Sequence, residues 1–88
     1  MIKITNATVV GDTAVHLRFS DGSEGDYDLS ALIARDTVMT RPLQDPEFVA
    51  RCFLELGALC WPNGLELSAA GLQRKLAEQG ALVHSSAA

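Results

Sequence analysis

The side chains capable of acid–base chemistry in this sequence are two histidines and the carboxylates near them. A catalytic site needs several such groups converging in one pocket. His16 alternates with apolar residues along a predicted strand, and His84 lies close to the C-terminus, so both are predicted to be surface histidines without a partner. A concave pocket that joined His16 to any carboxylate would instead favour an enzyme.

The other reactive side chains lack the spacing of catalytic or metal-binding motifs. Asp26 and Asp28 share one strand face, which resembles a catalytic carboxylate pair but is typical of solvated residues on an alternating strand. Cys52 and Cys60 are not in a C-x-x-C arrangement and are interpreted as reduced structural thiols. Zinc-ligand spacing, a glycine-rich phosphate loop and a G-x-S-x-G motif are absent from the sequence. We therefore predict no catalytic, cofactor-binding or metal-binding residue, and a protein that is not an enzyme.

One stretch, CWPNGLEL at residues 60–67, combines a tight-turn signal with residues typical of binding surfaces. Asn63 and Gly64 both tolerate positive φ, so the chain is predicted to reverse there. Trp61 is predicted to be mostly buried in the core, with its indole N–H bonded to an acceptor. Alternation then directs Glu66 outward between two leucines. Because tryptophan is also frequent at binding hot spots, Trp61, Asn63, Gly64 and Glu66 form the candidate interaction or ligand surface.

Length and charge limit the class of protein. The 88 residues and 9.4 kDa suffice for one domain, predicted over residues 1–80, with a flexible tail over residues 81–88. Eleven acidic against seven basic residues give a net charge of −4, which argues against direct nucleic-acid binding and suits a basic protein partner. A hydrophobic fraction of 48% is generous for so small a domain and favours an exposed apolar interface.

Targeting signals are not evident in the sequence. The N-terminus, MIKITNATVV, lacks the basic start and the apolar run of a signal peptide. No segment reaches the roughly 20 apolar residues that a membrane-spanning helix needs. We therefore predict a cytoplasmic protein with no membrane segment.

Hydrophobic periodicity predicts strands in the first third of the chain. Ile2 and Ile4 alternate in one phase and Ala7 and Val9 in the other, which indicates a bulge or a break near Asn6.

The turn between the second and third strands is restricted by which residues must share the buried face, since paired residue numbers then add up to an even number. Val15 marks the buried face of the second strand, and Tyr27 marks that of the third. A two-residue loop would turn the acids of the third strand toward the core, whereas a three-residue loop over residues 20–22 sets Val15 opposite Tyr27. Gly22 then takes the left-handed position that such loops require.

Capping signals predict the helices. A helix of one or two turns follows Asp28, a second begins at Asp45 and Pro46, and the longest runs from the Ser68 cap to Gly80 near the C-terminus. The segment TVMTRPLQ is predicted to be irregular, and the apolar run FLELGALCW to form two short strands around a tight turn. This order, without βαβ alternation, predicts an α+β fold: a small, mostly antiparallel β-sheet with two or three short helices.

Three motifs in this order, FSDGSEGDYDLSALI, PLQDPEFV and above all WPNGLEL, resemble a bacterial family of domains of unknown function, numbered 2442. The resemblance covers residues from about 1 to 76 and implies a small α+β domain with no established activity. It also implies that relatives are often encoded beside a second small protein, in what looks like a toxin–antitoxin pairing, or carry a repressor-like DNA-binding domain. The sequence departs from the family at Glu66, where the family has Asp, and at SAAGL, which opens a helix in place of a proline-bearing segment.

The leading hypothesis is a protein-interaction module, an antitoxin-like partner of a small basic protein encoded nearby. The alternative is a small-molecule-binding or enzymatic domain with a site near Trp61 and Glu66. Self-association is a third hypothesis, because a small domain can complete its core as a homo-oligomer.

Overall fold

Two three-stranded sheets and three α-helices make up the computed structural model, which describes residues 1–84. The strands are β1 (Ile4–Val10), β2 (Ala14–Phe19), β3 (Glu24–Asp28), β4 (Phe53–Glu55), β5 (Ala58–Cys60) and β6 (Glu66–Leu67). The helices are α1 (Ser30–Ala34), α2 (Pro46–Val49) and α3 (Ala69–Glu78). The strand order is β1-β2-β3 in the first sheet and β4-β5-β6 in the second, and these pairs are antiparallel. The predicted α+β class, with the longest helix near the C-terminus, is confirmed.

The first sheet has the register that parity predicts. Val15 pairs with Tyr27. The N–H of Phe19 donates to the carbonyl oxygen of Ser23, which encloses a three-residue loop with Gly22 at φ +87°. The predicted phase change in β1 is confirmed as a register shift between Ile4 and Asn6. One face of this sheet therefore enters the core, and the opposite face carries the polar residues of all three strands.

Short-range hydrogen bonds begin the helices where the sequence predicts them. Asp45 accepts a bond of 3.0 Å from a backbone N–H in the first turn of α2, and Ser68 accepts one of 3.1 Å in the first turn of α3. Asp28 accepts bonds from the N–H and the hydroxyl of Ser30 at the start of α1. Gly80 follows α3 with φ +69°, which allows the chain to leave the helix.

The segment before α2 is more regular than predicted. Arg41–Gln44 form a 3-10 helix, so the prediction of irregular structure is wrong there. Thr37 and Thr40 stabilise its start, because each threonine hydroxyl accepts a hydrogen bond from the other residue's backbone N–H. Leu43 is completely buried and holds the short helix against the core. The two threonines and one buried leucine therefore stabilise this short helix, which is too short to show the apolar periodicity of a longer one.

The second sheet is joined to the first through a strained hairpin. Leu56 and Gly57 connect β4 to β5 with φ values of +51° and +81°, as a type I′ turn requires. The carbonyl oxygen of Gly57 accepts a hydrogen bond of 2.9 Å from the N–H of Ile4 in β1. The hairpin turn is therefore held by the first sheet.

The start of the predicted flexible tail is paired with the domain. Val83 exchanges two backbone hydrogen bonds, each of 2.8 Å, with Glu24 of β3, and the two residues before it pack against the core. Residues 81–83 therefore form a short fourth segment at the edge of the first sheet. Residues 85–88 of the predicted tail lie outside the described residues.

One hydrophobic core contacts both sheets and α3. Its largest fully buried side chain is that of Trp61. Large apolar side chains also remain at the surface: Leu56 is 95% exposed, Val38 78% and Phe53 44%. Among residues 1–84, no helix is both long and apolar enough to cross a bilayer.

Candidate functional site

Trp61, one of the four residues of the candidate interaction surface, is part of the hydrophobic core. Trp61 is 1% exposed, and its indole N–H donates a hydrogen bond of 3.2 Å to the carbonyl oxygen of Val49 at the end of α2. Its backbone N–H donates to the carbonyl oxygen of Leu65, and its carbonyl accepts from the N–H of Gly64. The burial, the satisfied indole and the turn are as predicted. The ring itself is therefore not available to a partner.

Asn63 closes the same turn with both ends of its amide. Its Oδ1 accepts a hydrogen bond from the N–H of Leu65, and its Nδ2 donates to the carbonyl oxygen of Met39. Gly64 has φ +94° and lies beside the Met39 side chain. These two residues therefore hold the corner against the segment that precedes α2. Of the four residues proposed from the sequence, Glu66 has the side chain most accessible to a partner.

Beside this corner lies a shallow acidic cleft of about 310 Å³, here called the corner cleft. Three of the four residues proposed from the sequence line it, and the full lining is Phe53, Glu55, Cys60, Trp61, Pro62, Gly64, Leu65 and Glu66. The second sheet creates it, because Phe53 pairs with Cys60 across β4 and β5, and Cys60 pairs with Glu66 across β5 and β6. The three side chains therefore form a row on one face, with an aromatic ring at one end and a carboxylate at the other.

The thiol at the floor of the corner cleft is held in its neutral form. Burial raises the pKa of Cys60, and the carboxylates of Glu66 and Glu55 raise it further. The Sγ atom lies 3.8 Å from a carboxylate oxygen of Glu66, to which it donates. Cys52, also a free thiol, has its pKa raised by burial. Since the thiolate is the nucleophile and metal ligand, neither cysteine is activated.

What the corner cleft can do chemically follows from its lining. Its rim is acidic, its walls are apolar and aromatic, and its floor is a neutral thiol. A lysine or arginine side chain combines an apolar stem with a cationic head and matches this arrangement. The cleft is therefore suited to a basic side chain of a partner.

A second cleft, here called the histidine cleft, lies on the outer face of the first sheet. It measures about 350 Å³ and is lined by His16, Glu24, Gly25, Asp26, Ala81 and Val83. The Nδ1 atom of His16 lies 2.6 Å from a carboxylate oxygen of Asp26, and its Nε2 atom lies 2.9 Å from one of Glu24. The prediction that His16 has no partner is therefore wrong.

The histidine cleft is the arrangement that would favour an enzyme, so its chemistry decides what it can do. Hydrogen bonding to Asp26 raises the pKa of His16, partial burial opposes this, and Glu24 adds to the rise. With a carboxylate at each ring nitrogen, the imidazolium can donate to both, and no nitrogen is left free to accept a proton. Among residues 1–84, the lining includes no serine, cysteine or lysine that could act as nucleophile. When His16 is protonated, the three side chains therefore form a charge-paired triad.

Strand register was the signal that could have found this triad. Pairing Val15 with Tyr27 sets His16 directly opposite Asp26 on the outer face, with Glu24 one diagonal away. Asp28 lies at the far end of the same strand and bonds to Ser30. In residues 1–84, no group of three or more His, Cys, Asp and Glu side chains is arranged to hold a metal ion.

Comparison with known proteins identifies a family for this chain. Searches of curated proteins and of solved structures gave no match. The model of one protein family, described as "Protein of unknown function (DUF2442)", matches residues 4–78 and so includes both sheets and all three helices. The chain belongs to the DUF2442 family.

Proposed function

We propose that this chain is a protein-interaction module that binds a small basic protein through the corner cleft and the hairpin tip beside it. The observation that carries the proposal is that the carboxylates of Glu55 and Glu66 lie beside exposed apolar surface on one sheet face. Charge at the rim steers a basic partner, and the apolar surface supplies affinity once the partner is seated.

The hairpin tip supports this proposal through its strain. Leu56 is 95% exposed and adopts φ +51°, a conformation that is unfavourable for a branched side chain. Asparagine followed by glycine is the preferred pair for this type of turn. An unfavourable residue at an exposed position indicates a role outside folding, and a leucine at the tip can serve as the apolar anchor of an interface.

The wider setting of the proposal is an antitoxin-like protein in the bacterial cytoplasm, paired with a basic protein encoded beside it. It is supported by the net charge of −4 and by the gene arrangement that the family resemblance implies. In this proposal the partner is a protein and not a nucleic acid. The chain acts by binding and masking, without catalysis.

The experiment is co-expression with the small basic protein encoded next to this chain, followed by affinity purification and titration calorimetry. We expect a stable complex for the natural sequence. The double change Glu55→Gln and Glu66→Gln removes the rim charge and is expected to weaken binding at least tenfold, with thermal stability nearly unchanged. Glu47→Gln removes an exposed charge from α2 and serves as the matched control. An adjacent protein that is never captured, or is captured equally by the double variant, contradicts the proposal.

A small-molecule-binding or enzymatic function is the second candidate, and the histidine cleft is the observation that favours it. A thermal-shift screen of metabolites distinguishes the two functions, since a ligand at 100 times its dissociation constant adds about 2.7 kcal/mol to stability. A hit near Trp61 and Glu66 is lost in Glu66→Gln, whereas a hit in the histidine cleft is lost in His16→Gln. Light scattering on the purified chain tests self-association.

A further inference from the structure

A third cleft concentrates positive charge on this acidic protein. The sequence has seven lysines and arginines, and three of them, Arg35, Arg74 and Lys75, line one cleft of about 250 Å³. Arg35 follows α1, and the other two lie in α3. This cationic cleft also includes Tyr27 of β3 and apolar walls from α1, β6 and α3. The fold therefore collects nearly half of its cations at one place despite its overall negative charge.

Within residues 1–84 these three cations make no ion pair, whereas Arg41 pairs with Asp36 at 2.9 Å. The acidic residue in the lining is Glu66, but its carboxylate oxygen lies 3.8 Å from the Cys60 sulfur in the corner cleft. In this part of the chain the three cations therefore make no direct ion pair, and one carboxylate, that of Glu66, shares the lining with them.

The tyrosine is the second, independent observation. Only 5% of the surface of Tyr27 is exposed, yet its hydroxyl makes no hydrogen bond to residues 1–84. In residues 1–84, each side-chain nitrogen or oxygen that is fully enclosed has a hydrogen-bond partner. Because the Tyr27 hydroxyl has no such partner, it must reach the surface. Tyr27 lines the cationic cleft, and we assign its hydroxyl to that surface. A buried aromatic ring thus presents an unused donor among three cations.

Burial keeps that hydroxyl in its donating form. It raises the pKa of Tyr27, an effect that the Arg35 guanidinium partly offsets and that Asp28 reinforces. At neutral pH the phenol is therefore protonated. These four side chains offer a ligand donors only, against the single carboxylate of Glu66 in the same lining, and this balance favours an anion.

We propose that the cationic cleft binds the phosphate group of a small phosphorylated compound. Three cations match a doubly charged phosphate better than a singly charged carboxylate, and arginine forks bind its oxygens in pairs. The volume of about 250 Å³ accommodates a phosphate with a short carbon chain against Leu32 and Leu72. A long polyanion is disfavoured, because it would also meet a protein of net charge −4.

The test is a nuclear magnetic resonance titration of the full chain with inorganic phosphate and with glycerol 3-phosphate. Ionic strength is held constant with sodium chloride, and acetate serves as the singly charged arm. We expect saturable amide shifts around Tyr27, Arg35 and Arg74 with both phosphates and no saturation with acetate. Tighter binding of glycerol 3-phosphate identifies the monoester as the ligand class, and equal binding identifies the phosphate group alone.

Two variants make the result specific. Arg74→Gln removes a guanidinium, and Tyr27→Phe removes the hydroxyl while keeping the buried ring. Each is expected to weaken phosphate binding about tenfold or more, since hydrogen bonds to charged groups are strong. Arg51→Gln changes an exposed arginine away from the cleft and is expected to leave binding unchanged. Shifts that stay linear, match those with acetate, or persist in both variants overturn the proposal, as does tighter binding of a single-stranded oligonucleotide.

Discussion

The indole nitrogen of Trp61 lies 3.2 Å from the carbonyl oxygen of Val49 and donates its N–H to it. This bond joins the end of the second sheet to the end of α2 across the core. A buried indole that lost its acceptor would leave a polar group unsatisfied, so ring burial and hydrogen bond stabilise the same contact. The corner formed by WPNG is thus a structural support, and the binding surface lies beside it.

We predict that Trp61→Ala lowers the free energy of unfolding by about 3 to 5 kcal/mol, because it removes the largest fully buried side chain. A domain of this size has roughly 5 to 15 kcal/mol in total, so the variant is near the limit of folding. Urea unfolding followed by circular dichroism measures the loss, since Trp61 is the only tryptophan and its fluorescence disappears. Trp61→Phe keeps an aromatic ring and loses the indole N–H, but the Val49 carbonyl still accepts from the N–H of Cys52, so this variant is expected to lose less. A loss below about 1 kcal/mol in Trp61→Ala would show that the ring is dispensable.

A second prediction concerns the strained leucine at the hairpin tip. Leu56→Asn is expected to raise stability by roughly 1 kcal/mol, because asparagine tolerates the left-handed conformation and creates the favoured Asn-Gly pair. Gly57→Ala is the opposite control: its added Cβ would lie 2.7 Å from the Lys3 side chain at a position with φ +81°. Thermal unfolding of the two variants should therefore shift in opposite directions. If Leu56 also anchors the partner, the stabilised variant loses binding, a trade-off between stability and function.

The third prediction is a pH dependence of stability from the histidine cleft. The pKa of His16 is raised in the folded state, chiefly by Asp26. Its contribution is complete below the unfolded value of about 6.5 and is lost as pH rises through the higher folded value. The effect should stay below about 1 kcal/mol, since the His16 side chain is 36% exposed.

Denaturant unfolding between pH 6 and pH 8 measures this dependence. The natural chain should lose stability across that range, and His16→Gln should lose less. The charged residues on the same sheet face are Glu24, Asp26 and Asp28 of β3 and Arg18 of β2. Arg18 keeps its charge over this range, so it cannot produce the change. Identical pH profiles for the two proteins would assign the dependence to other groups.

Much of the fold could be predicted because short-range rules decide it. A phase change in alternation marked the bulge near Asn6, and parity alone required the three-residue loop that ends at Gly22. Asp45 and Ser68 are caps whose effect depends on the next few residues. These features do not require knowledge of what packs against them.

The clefts could not be predicted as readily, because they depend on contacts between distant segments. The His16 triad was implicit in the predicted register, yet reading His16 as an isolated residue on a polar face concealed it. The cationic cleft brings together Arg35 and Arg74, which are 39 residues apart in the sequence, and no local pattern links them. The same limit applies to Val83, whose pairing with β3 depends on where α3 ends.

The last prediction tests whether the segment after α3 belongs to the domain. Gly25 of β3 faces that segment, and a Cβ added there would lie 2.6 Å from the carbonyl oxygen of Ala81. Backbone cannot move as a flexible side chain can, so Gly25→Ala is expected to lower stability by about 1 to 3 kcal/mol. In a chain truncated after Gly80 the obstructing carbonyl is gone. The other close atom is then the Leu76 side-chain end at 3.3 Å, which can shift.

In the truncated chain the same substitution should become neutral or stabilising, because alanine loses less conformational freedom than glycine in a strand. The truncation itself removes the two hydrogen bonds between Val83 and Glu24 and so lowers stability. A double-mutant cycle over the full and truncated chains, with and without Gly25→Ala, separates these effects. A change of sign in the effect of Gly25→Ala means that the segment is seated on β3 in solution. An equal loss in both backgrounds means that the segment does not occupy this position, and that the domain ends with α3, as the sequence alone predicts.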